Sequence, residues 1–437
     1  MNANCLRFLE GLGYAARTYY CRYDGNTPIS DSLLGIKYVF DRDNASILNK
    51  DYTPVFTYDY KDENDIDKTV TCYKNEDALS VGYMADQQVT NIGSLGNDNP
   101  FNSQNILLSS MVGETDFDTP DGSIGDRTEY YKEFELDSEP ILNNVTQSAY
   151  GDQICYNDSK NGGDPTVDFN FTVTENSPIY IYFRTDNEKS VNLWYGPWND
   201  GTQAYDYQFL NTYFETEHYC IMSLGSYEPG TKMSLRMTIA NDYTIYRNYH
   251  FVYFQQDLFD AAMEKLKKNQ WQIDTEKSNA RMLTGTITAE PGQVMVTSIP
   301  YEAGWSIKVD GKKISEDDTV RIASALIGIK LEPGEHTVTM KYTPPFWWWG
   351  ILFLLLGIVL CIFFYRNDKK SKEAALAYYE KHKYLTPAET AEIKAQEEAE
   401  KKAKKTSKES TAIAKEVLKE RGVKPKTYSN NKKKKKK

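Results

Sequence analysis

Three aromatic side chains have the type and spacing that best suit recognition chemistry in this 437-residue sequence. Trp194 and Trp198 enclose the Gly- and Pro-containing segment Trp-Tyr-Gly-Pro-Trp, which we interpret as a loop, and Tyr301 lies close to Trp305. Flat aromatic rings can stack on the apolar faces of sugars, so we predict that Trp194, Trp198 and Tyr301 contact a glycan. Packing in the core is the alternative for Trp194 and Trp198. We favour it for Trp305, which belongs to an alternating apolar run.

Signals for catalysis or metal binding are weak. The four His residues have no second ligand at metal-binding spacing, and the sequence contains no phosphate-binding loop, nucleophile elbow or H-E-x-x-H motif. The segment 116–124 is similar to a calcium loop, but Pro120 displaces the third acid and Glu129 falls one place late for the closing ligand. We therefore expect an acidic surface loop there. We predict no catalytic residue, no cofactor and no metal, and whether the chain alone is an enzyme stays open.

An uncharged run over residues 346–365 is the strongest structural signal. As a helix, about 20 apolar residues can cross the roughly 30 Å hydrocarbon core of a bilayer. Four side chains that favour the membrane interface mark the two ends of the run, and we expect them to anchor it: Trp347, Trp348 and Trp349 within its first residues and Arg366 directly after its last. Because Lys and Arg favour the cytoplasmic side, we predict that residues 1–345 are extracytoplasmic and that the C-terminus is cytoplasmic. A tail-anchored protein with residues 1–345 in the cytoplasm is the alternative.

Charge is segregated along the chain. Residues 366–437 carry 23 Lys and Arg against 11 Asp and Glu, a net charge of +12. The whole chain has a net charge of −11, so the first 365 residues have a net charge of −23. Such an acidic segment repels polyphosphate, and we predict no nucleic-acid partner. Five of the six Cys residues lie before the apolar run, and this odd number at irregular spacing argues against a disulfide framework, although one or two bridges stay open.

Apolar periodicity predicts a mainly β fold with some α-helix, followed by the transmembrane helix and a charged tail. Residues 167–172 and 179–184 alternate as half-buried strands, whereas Leu258, Phe259, Ala262, Met263 and Leu266 recur at helical spacing. The pair Asp310-Gly311 predicts a hairpin turn.

From these patterns we predict four regions. They are a mixed α/β extracytoplasmic region over 1–150, a β-sandwich-like extracytoplasmic domain over 151–345 with an amphipathic helix near 257–270, the transmembrane helix 346–365, and a Lys/Glu-rich cytoplasmic tail over 366–437.

Two helix starts have recognisable capping signals. Asn99 precedes Pro100 at the start of a predicted short helix over 100–111, and Thr386-Pro-Ala-Glu389 forms a capping box. We expect the second helix to extend to about Thr406 as a solvated, charged helix held by pairs four residues apart. The final run of Lys residues either touches an anionic membrane surface or is a disordered end.

The first 30 residues lack the continuous apolar segment of a signal peptide. A single span near the C-terminus does not readily export a long segment that precedes it. We therefore expect a membrane segment that precedes this sequence in a polytopic protein.

Several ordered motifs resemble the C-terminal half of the YfhO family of bacterial membrane proteins. They are Asp31-Ser-Leu-Leu-Gly-Ile-Lys-Tyr-Val39, Asn99-Pro-Phe-Asn-Ser-Gln-Asn105, the segment from Ile299 to Lys313, and Gly328-Ile-Lys-Leu-Glu-Pro-Gly-Glu-His-Thr-Val338. The resemblance implies a large polytopic protein of the GT-C type that takes a lipid-linked sugar and glycosylates lipoteichoic acid or another envelope polymer. It also implies a bacterial cell membrane location. The family's catalytic acid would lie in the missing part, and the long Lys-rich tail departs from the family pattern.

Two functional hypotheses follow. In the first, this chain is the noncatalytic, acceptor-positioning part of a YfhO-like glycosyltransferase, with the lipid bilayer, an envelope glycopolymer, a lipid-linked sugar and the missing N-terminal membrane segment as partners. In the second, it is a stand-alone membrane-anchored glycan-binding or scaffolding protein. The coding sequence upstream of Met1 would separate the two.

Overall fold

The computed structural model describes residues 3–17, 20–42, 52–96, 98–117, 124–147, 154–157, 163–186, 191–213, 220–238, 243–315, 317–382 and 385–420. The chain divides into two compact units, residues 1–345 and residues 346–437. The acidic segment predicted as a surface loop falls largely outside the described residues.

The first unit is mainly β, which confirms the predicted fold class. All its described strand pairs are antiparallel, and they form six sheets. The two largest sheets have six strands each. The first contains, in order, β16 (Met222–Gly225), β12 (Ile179–Asp186), β18 (Tyr243–Phe254), β10 (Ile154–Asn157) and β9 (Val145–Gln147), and β7 (Tyr131–Glu133) also pairs with β18. The second contains, in order, β14 (Ala204–Tyr205), β13 (Val191–Asn199), β17 (Lys232–Thr238), β11 (Thr166–Thr172) and β8 (Ile141–Asn143), and β15 (Gln208–Tyr213) also pairs with β13.

The smaller sheets contain the remaining strands. In order across each sheet they are β19 (Gln272–Ile273), β20 (Met282–Ala289), β26 (Gly334–Tyr342), β22 (Trp305–Val309) and β23 (Lys312–Lys313); β24 (Thr319–Ile322), β25 (Leu326–Lys330), β21 (Gln293–Pro300) and β6 (Gly82–Asp86); β3 (Tyr38–Arg42), β5 (Asp67–Asn75) and β4 (Tyr52–Lys61); and β1 (Ala16–Arg17) with β2 (Tyr20–Cys21).

Short helices complete the first unit: α1 (Ala3–Gly11), α2 (Pro28–Leu33), a 3₁₀ turn (Gln87–Asn91), α3 (Pro100–Met111) and α4 (Gln256–Leu266). The predicted start of α3 is confirmed, since the side chain of Asn99 accepts a hydrogen bond from the backbone N–H of Asn102 and Pro100 is the first helical residue. Helix α4 also matches its prediction, and it buries Phe259, Ala262, Met263 and Leu266. Leu258 differs from the prediction, because its side chain is 44% exposed.

The two largest sheets pack against each other through aromatic rings. Phe169 on β11 lies 6.5 Å from Phe183 on β12 and 6.0 Å from Phe251 on β18, measured between ring centroids. Phe171 lies 5.5 Å from the same Phe251. The alternation predicted for residues 167–172 therefore describes the face that this sheet buries. Strand β12 differs from its half-buried prediction, because Tyr180 and Tyr182 are buried as well as Ile179, Ile181 and Phe183. We call the sheet of β14, β13, β17, β11, β8 and β15 the platform sheet, because its other face carries the candidate site.

A second apolar cluster lies between the five-stranded and four-stranded sheets, with Trp271, Met295 and Met340 fully buried. Trp305 packs against this cluster and lies 5.1 Å from the Tyr342 ring. The hairpin turn predicted at Asp310-Gly311 is confirmed: both residues have positive φ, at 51° and 78°, which suits the right-handed twist of the flanking strands.

The three-stranded sheet leaves aromatic side chains exposed. Phe40 and Phe56 are 65% and 52% exposed, and their ring centroids lie 6.1 Å apart. Tyr58 and Tyr60 stack 6.4 Å apart on the same strand.

The predicted division at residue 150 stays a prediction. Strands from both sides of it share sheets, since β6 pairs with β21 and β7 pairs with β18. Five of the cysteines are free thiols: Cys5, Cys21, Cys72, Cys220 and Cys361.

The described residues of the second unit form two helices, α5 (Trp347–His382) and α6 (Pro387–Glu420). Residues 347–381 form one helix that is long and apolar enough to cross a membrane, judged by length and composition. The predicted capping box is present, because the carboxylate of Glu389 accepts the backbone N–H of Thr386 at 2.8 Å and the Thr386 hydroxyl accepts from the N–H of Glu389 at 3.5 Å. Both helices extend beyond the ends that the sequence predicts.

Candidate functional site

Strand β13 places the two predicted Trp residues on one face of the platform sheet. Val191, Leu193 and Tyr195 are buried, whereas Trp194 and Trp198 are partly exposed on the alternate positions. The predicted loop is therefore a strand, although it contains Pro197. On one side of β13, strand β15 pairs with residues 191–195 and β14 pairs with residues 198–199. The pairing is interrupted at Pro197, and a proline is tolerated there because it has no N–H to donate to a neighbouring strand.

Register brings a charged pair beside Trp194. The residue opposite Trp194 on β17 is Arg236, and the residue opposite Arg236 on β11 is Asp168. The guanidinium donates to both carboxylate oxygens, from Nε at 2.7 Å and from Nη2 at 2.6 Å. Asn143 donates a further hydrogen bond to Asp168 at 3.0 Å. Such a bidentate pair holds the planar guanidinium in a fixed orientation.

Aromatic rings surround this pair. The Arg236 guanidinium lies 4.2 Å from the centroid of the Tyr207 ring, and the Tyr207 hydroxyl donates to the Ser234 hydroxyl at 2.9 Å. The rings of Trp194 and Phe209 lie 5.3 Å apart, edge to face, and Phe209 is 52% exposed. We call the set Trp194, Trp198, Tyr205, Tyr207, Phe209 and Arg236 the aromatic platform.

Gly196 on β13 allows the segment 204–207 to pass close over the platform sheet. A Cβ atom at this position would lie 2.0 Å from the carbonyl oxygen of Asp206, so only glycine fits under the segment 204–207. That segment carries Tyr205, whose ring lies 5.1 Å from Trp198, and the Trp198 indole N–H donates to Asp200 at 3.0 Å.

An unsatisfied polar atom lies on the same sheet. The residue opposite Ser234 on β11 is Asn170, and its Oδ1 is buried without a hydrogen-bond partner among the described residues. Buried acceptors of this kind normally bond to a water molecule or a ligand group.

Tyr301, the third predicted glycan contact, lies on another part of the first unit. It follows strand β21, packs against the second apolar cluster, and its ring lies 4.3 Å from the Arg321 guanidinium. The structure therefore brings Trp194 and Trp198 onto one face and leaves Tyr301 outside the platform sheet, after the end of β21.

A buried carboxylate organises a second group of aromatic residues that sequence reasoning missed. Asp31 on α2 is fully buried and accepts hydrogen bonds from the hydroxyls of Tyr14 at 3.0 Å and Tyr23 at 2.7 Å and from the amide of Asn26 at 3.1 Å. The Tyr52 hydroxyl also donates to it. Burial raises the pKa of the Asp31 carboxyl, and the four donors oppose that shift. The signal in the sequence is that Asp31 begins one of the motifs that resemble the YfhO family.

Three of these donors line a cleft of about 410 Å³, which is a common size for a ligand pocket. We call it the tyrosine cleft. Tyr23, Asn26 and Tyr52 lie on its wall together with Phe40 and Phe209. Asp24 and Asp41 supply carboxylates, and the described lining contains no Lys, Arg or His. Phe209 thus belongs both to the aromatic platform and to the wall of the cleft.

In the second unit, the predicted interface residues lie on helix α5. The side chains of Trp347, Trp348 and Trp349 are 44%, 75% and 59% exposed within the chain, and Arg366 is also exposed. Their role as membrane anchors stays a prediction. No group of His, Cys, Asp or Glu among the described residues could hold a metal ion.

Some similarities to solved structures are confined to parts of the chain. A mutant of a family 29 carbohydrate-binding module is 14% identical, with 28% of this chain and 88% of that chain covered at a TM-score of 0.20. A cycloisomaltooligosaccharide glucanotransferase from Paenibacillus sp. is 9% identical, with 48% and 46% covered at a TM-score of 0.20. Both TM-scores are well below 0.5, so neither similarity bears on function.

Comparison with protein families is more informative. The family described as "Bacterial membrane protein YfhO" matches residues 1–354. A 96-residue segment is 32% identical to the Bacillus subtilis (strain 168) protein named "Uncharacterized protein YfhO", and it covers 20% of this chain and 11% of that relative. The aligned part is thus a small fraction of the relative's length. Because the family match extends over most of the sequence, this chain belongs to the YfhO family of bacterial membrane proteins.

Proposed function

We propose that this chain is the noncatalytic, acceptor-positioning part of a membrane protein that glycosylates lipoteichoic acid or another envelope polymer. The sugar would come from a lipid-linked donor, as expected for a GT-C-type enzyme. The partners would be the lipid bilayer, the envelope glycopolymer, the lipid-linked sugar and a preceding N-terminal membrane segment that contains the catalytic acid.

The observation that supports this proposal is the aromatic platform. Glycan recognition needs flat apolar surface for the sugar ring and fixed polar groups for its hydroxyls. Trp194 and the half-exposed Phe209 offer the first, and Arg236 offers the second. The Asp168 carboxylate holds Arg236 from one side and the Tyr207 ring covers it, so little side-chain entropy would be lost when a ligand binds.

Orientation in the membrane is part of the proposal. With α5 as the span, the acidic first unit would face the outside and the Lys-rich segment the cytoplasm, because basic flanks stay inside. Protease added to intact spheroplasts should then remove residues 1–345 and spare the tail. Protection of the first unit would reverse the orientation.

The functional test is a glycan-binding measurement on the full chain in nanodiscs, together with complementation of a deletion strain. Trp194→Ala and Phe209→Ala should each weaken binding of the envelope glycopolymer about tenfold, equivalent to about 1.4 kcal/mol. The sugar content of the polymer should fall in the complemented strains. Phe56→Ala is the matched control, because Phe56 and Phe209 are equally exposed at 52% and Phe56 lies on the three-stranded sheet. Equal binding by all three variants would refute the role of the platform.

The alternative function is a stand-alone membrane-anchored glycan-binding or scaffolding protein. The same platform supports it, and the difference lies in the polymer chemistry. Loss of glycan binding with unchanged polymer glycosylation would favour this alternative. Coding sequence for many apolar spans directly upstream of Met1 would favour the first function.

A further inference from the structure

We infer that the tyrosine cleft is a second sugar subsite, and that it takes an uncharged, hydroxyl-bearing sugar unit rather than the phosphate-bearing part of a glycopolymer. The inference rests on the proposed function, because it specifies which portion of the polymer this chain would hold. Three features of the cleft support it: the direction of its hydrogen bonds, its charge and its position beside the platform.

The hydrogen bonds around Asp31 determine what the cleft can offer to a ligand. Tyr23 and Tyr52 direct their hydroxyl protons to the Asp31 carboxylate, and Asn26 directs an amide N–H to it. The phenol oxygens keep lone pairs, so these groups present mainly acceptors to the cleft. Asp31 is itself fully buried and acts as a positioning residue for the wall. A matching ligand must therefore bring donors, and sugar hydroxyls are such donors.

The negative charge of the cleft excludes the phosphate groups of a teichoic acid-like polymer. The carboxylates of Asp24 and Asp41 line the cleft, while cationic side chains are absent from its described lining. Arg22 pairs with Asp24 at 2.8 Å and so offsets part of this charge at the rim. A phosphate group would still meet net negative charge and acceptor oxygens, and both repel it. A neutral sugar carries no such penalty.

Phe209 connects the cleft with the aromatic platform. Its ring contacts Trp194 on the platform and also lines the cleft. An oligosaccharide that stacks on Trp194 could therefore continue past Phe209 into the cleft. Phe40, 65% exposed, offers a second apolar surface in the cleft lining. Together these features describe two adjacent subsites rather than one isolated pocket.

The test uses ligand-observed NMR titration of the full chain in nanodiscs with three probes: methyl glucoside, methyl N-acetylglucosaminide and glycerol phosphate. We expect saturable binding of at least one glycoside and none of glycerol phosphate. Tyr23→Phe and Tyr52→Phe should each weaken glycoside binding about tenfold. Tyr58→Phe is the matched control, because Tyr58 lies on strand β4 with Tyr52 but outside the cleft.

A second variant keeps the test valid if Tyr52→Phe does not fold. Asn211→Ala changes the cleft wall without touching the Asp31 network, and it should also weaken glycoside binding. Glycerol phosphate that binds as well as the glycosides, or glycoside binding that none of the cleft variants alters, would overturn the inference. Trp194→Ala separates the two proposals. If this variant loses glycopolymer binding while the cleft variants bind the glycosides as wild type does, the platform stays valid and only the cleft is refuted.

Discussion

Each of the two units is stabilised by its own internal contacts, and the separation of the contacting residues along the chain differs greatly between the units. In the first unit, strand β6 pairs with β21 about 200 residues later, and the Arg236–Asp168 pair joins residues 68 positions apart. In the second unit, the described hydrogen bonds and ion pairs of helix α6 join residues three or four positions apart, such as Glu400 with Lys404. Surfaces that depend on distant pairings can bring unrelated side chains together, and this is where both candidate subsites lie.

The largest expected effect comes from a buried ring of the first unit. Phe259 is fully buried, and its ring lies 5.4 Å from that of Phe254. Phe259→Ala should lower the free energy of unfolding by about 3–5 kcal/mol, because it removes buried apolar surface and leaves a cavity. Denaturant unfolding of the full chain in detergent, followed by near-UV circular dichroism, measures it. Two controls should change stability by less than about 0.5 kcal/mol: the neighbouring Leu258→Ala, and Ile413→Ala on α6, which is 61% exposed.

The Asp31 network should show the next largest effect. Asp31→Ala leaves the hydroxyls of Tyr14 and Tyr52 buried without their acceptor, so the free energy of unfolding should fall by about 3 kcal/mol. Asp24→Ala is the control, since its side chain is 42% exposed and its pair with Arg22 lies at the surface. The same unfolding measurement applies. Equal stability of the two variants would mean that the network does not hold the N-terminal part of the first unit.

Sequence patterns predicted the second unit better than the first because its contacts are local. The capping box at Thr386 and the apolar run both gave correct helix starts. The helix ends were less accurate. Helix α5 continues to His382 because residues 366–382 include no Gly or Pro, and α6 continues to Glu420 because Ala, Glu and Lys favour helix throughout.

In the first unit, the alternation of apolar and polar residues predicted which side chains share a face of a strand, but not which residues of other strands lie next to them. It placed Phe169 and Phe171 inside and Asp168 and Asn170 on the opposite face, as observed. The partner of Asp168 could not be predicted, because Arg236 reaches it only through the register between β11 and β17. Tyr52 escaped prediction as a donor to Asp31 for a similar reason, because it lies 21 residues away, on strand β4, whereas Asp31 lies on helix α2.

A local contact of the second unit should have a smaller and more confined effect. Thr386→Ala removes the hydroxyl that caps α6 and should destabilise its first turn by about 1 kcal/mol. Hydrogen exchange at the amides of Glu389 and Thr390, which bond to Thr386, should become faster, while the first unit keeps its exchange rates. Thr411→Ala in the middle of the helix is the control, and it should slightly stabilise the helix because Ala has the higher helix propensity. Faster exchange across the first unit of Thr386→Ala would contradict the local character of this contact.

The smallest expected effect is a pH-dependent contact between distant residues of the first unit. The Nδ1 of His336 lies 2.8 Å from the Asp310 carboxylate, and its Nε2 lies 2.7 Å from the carbonyl oxygen of Glu332. The hydrogen bond to Asp310 is the main cause that raises the pKa of His336. A raised folded-state pKa means that this stabilisation is complete below the unfolded-state pKa of about 6.5 and is lost as pH rises through the folded-state value.

Because Asp310 is 52% exposed, solvent screening should keep this contribution below about 1 kcal/mol. The measurement compares the free energy of unfolding of wild type and His336→Gln between pH 5.5 and pH 8.5, a range of about three units around the ordinary His pKa. Their difference should favour wild type at the acidic end and shrink toward the basic end. A difference that is constant across the range would show that the contact between the end of β22 and β26 acts through packing of the imidazole and not through its charge.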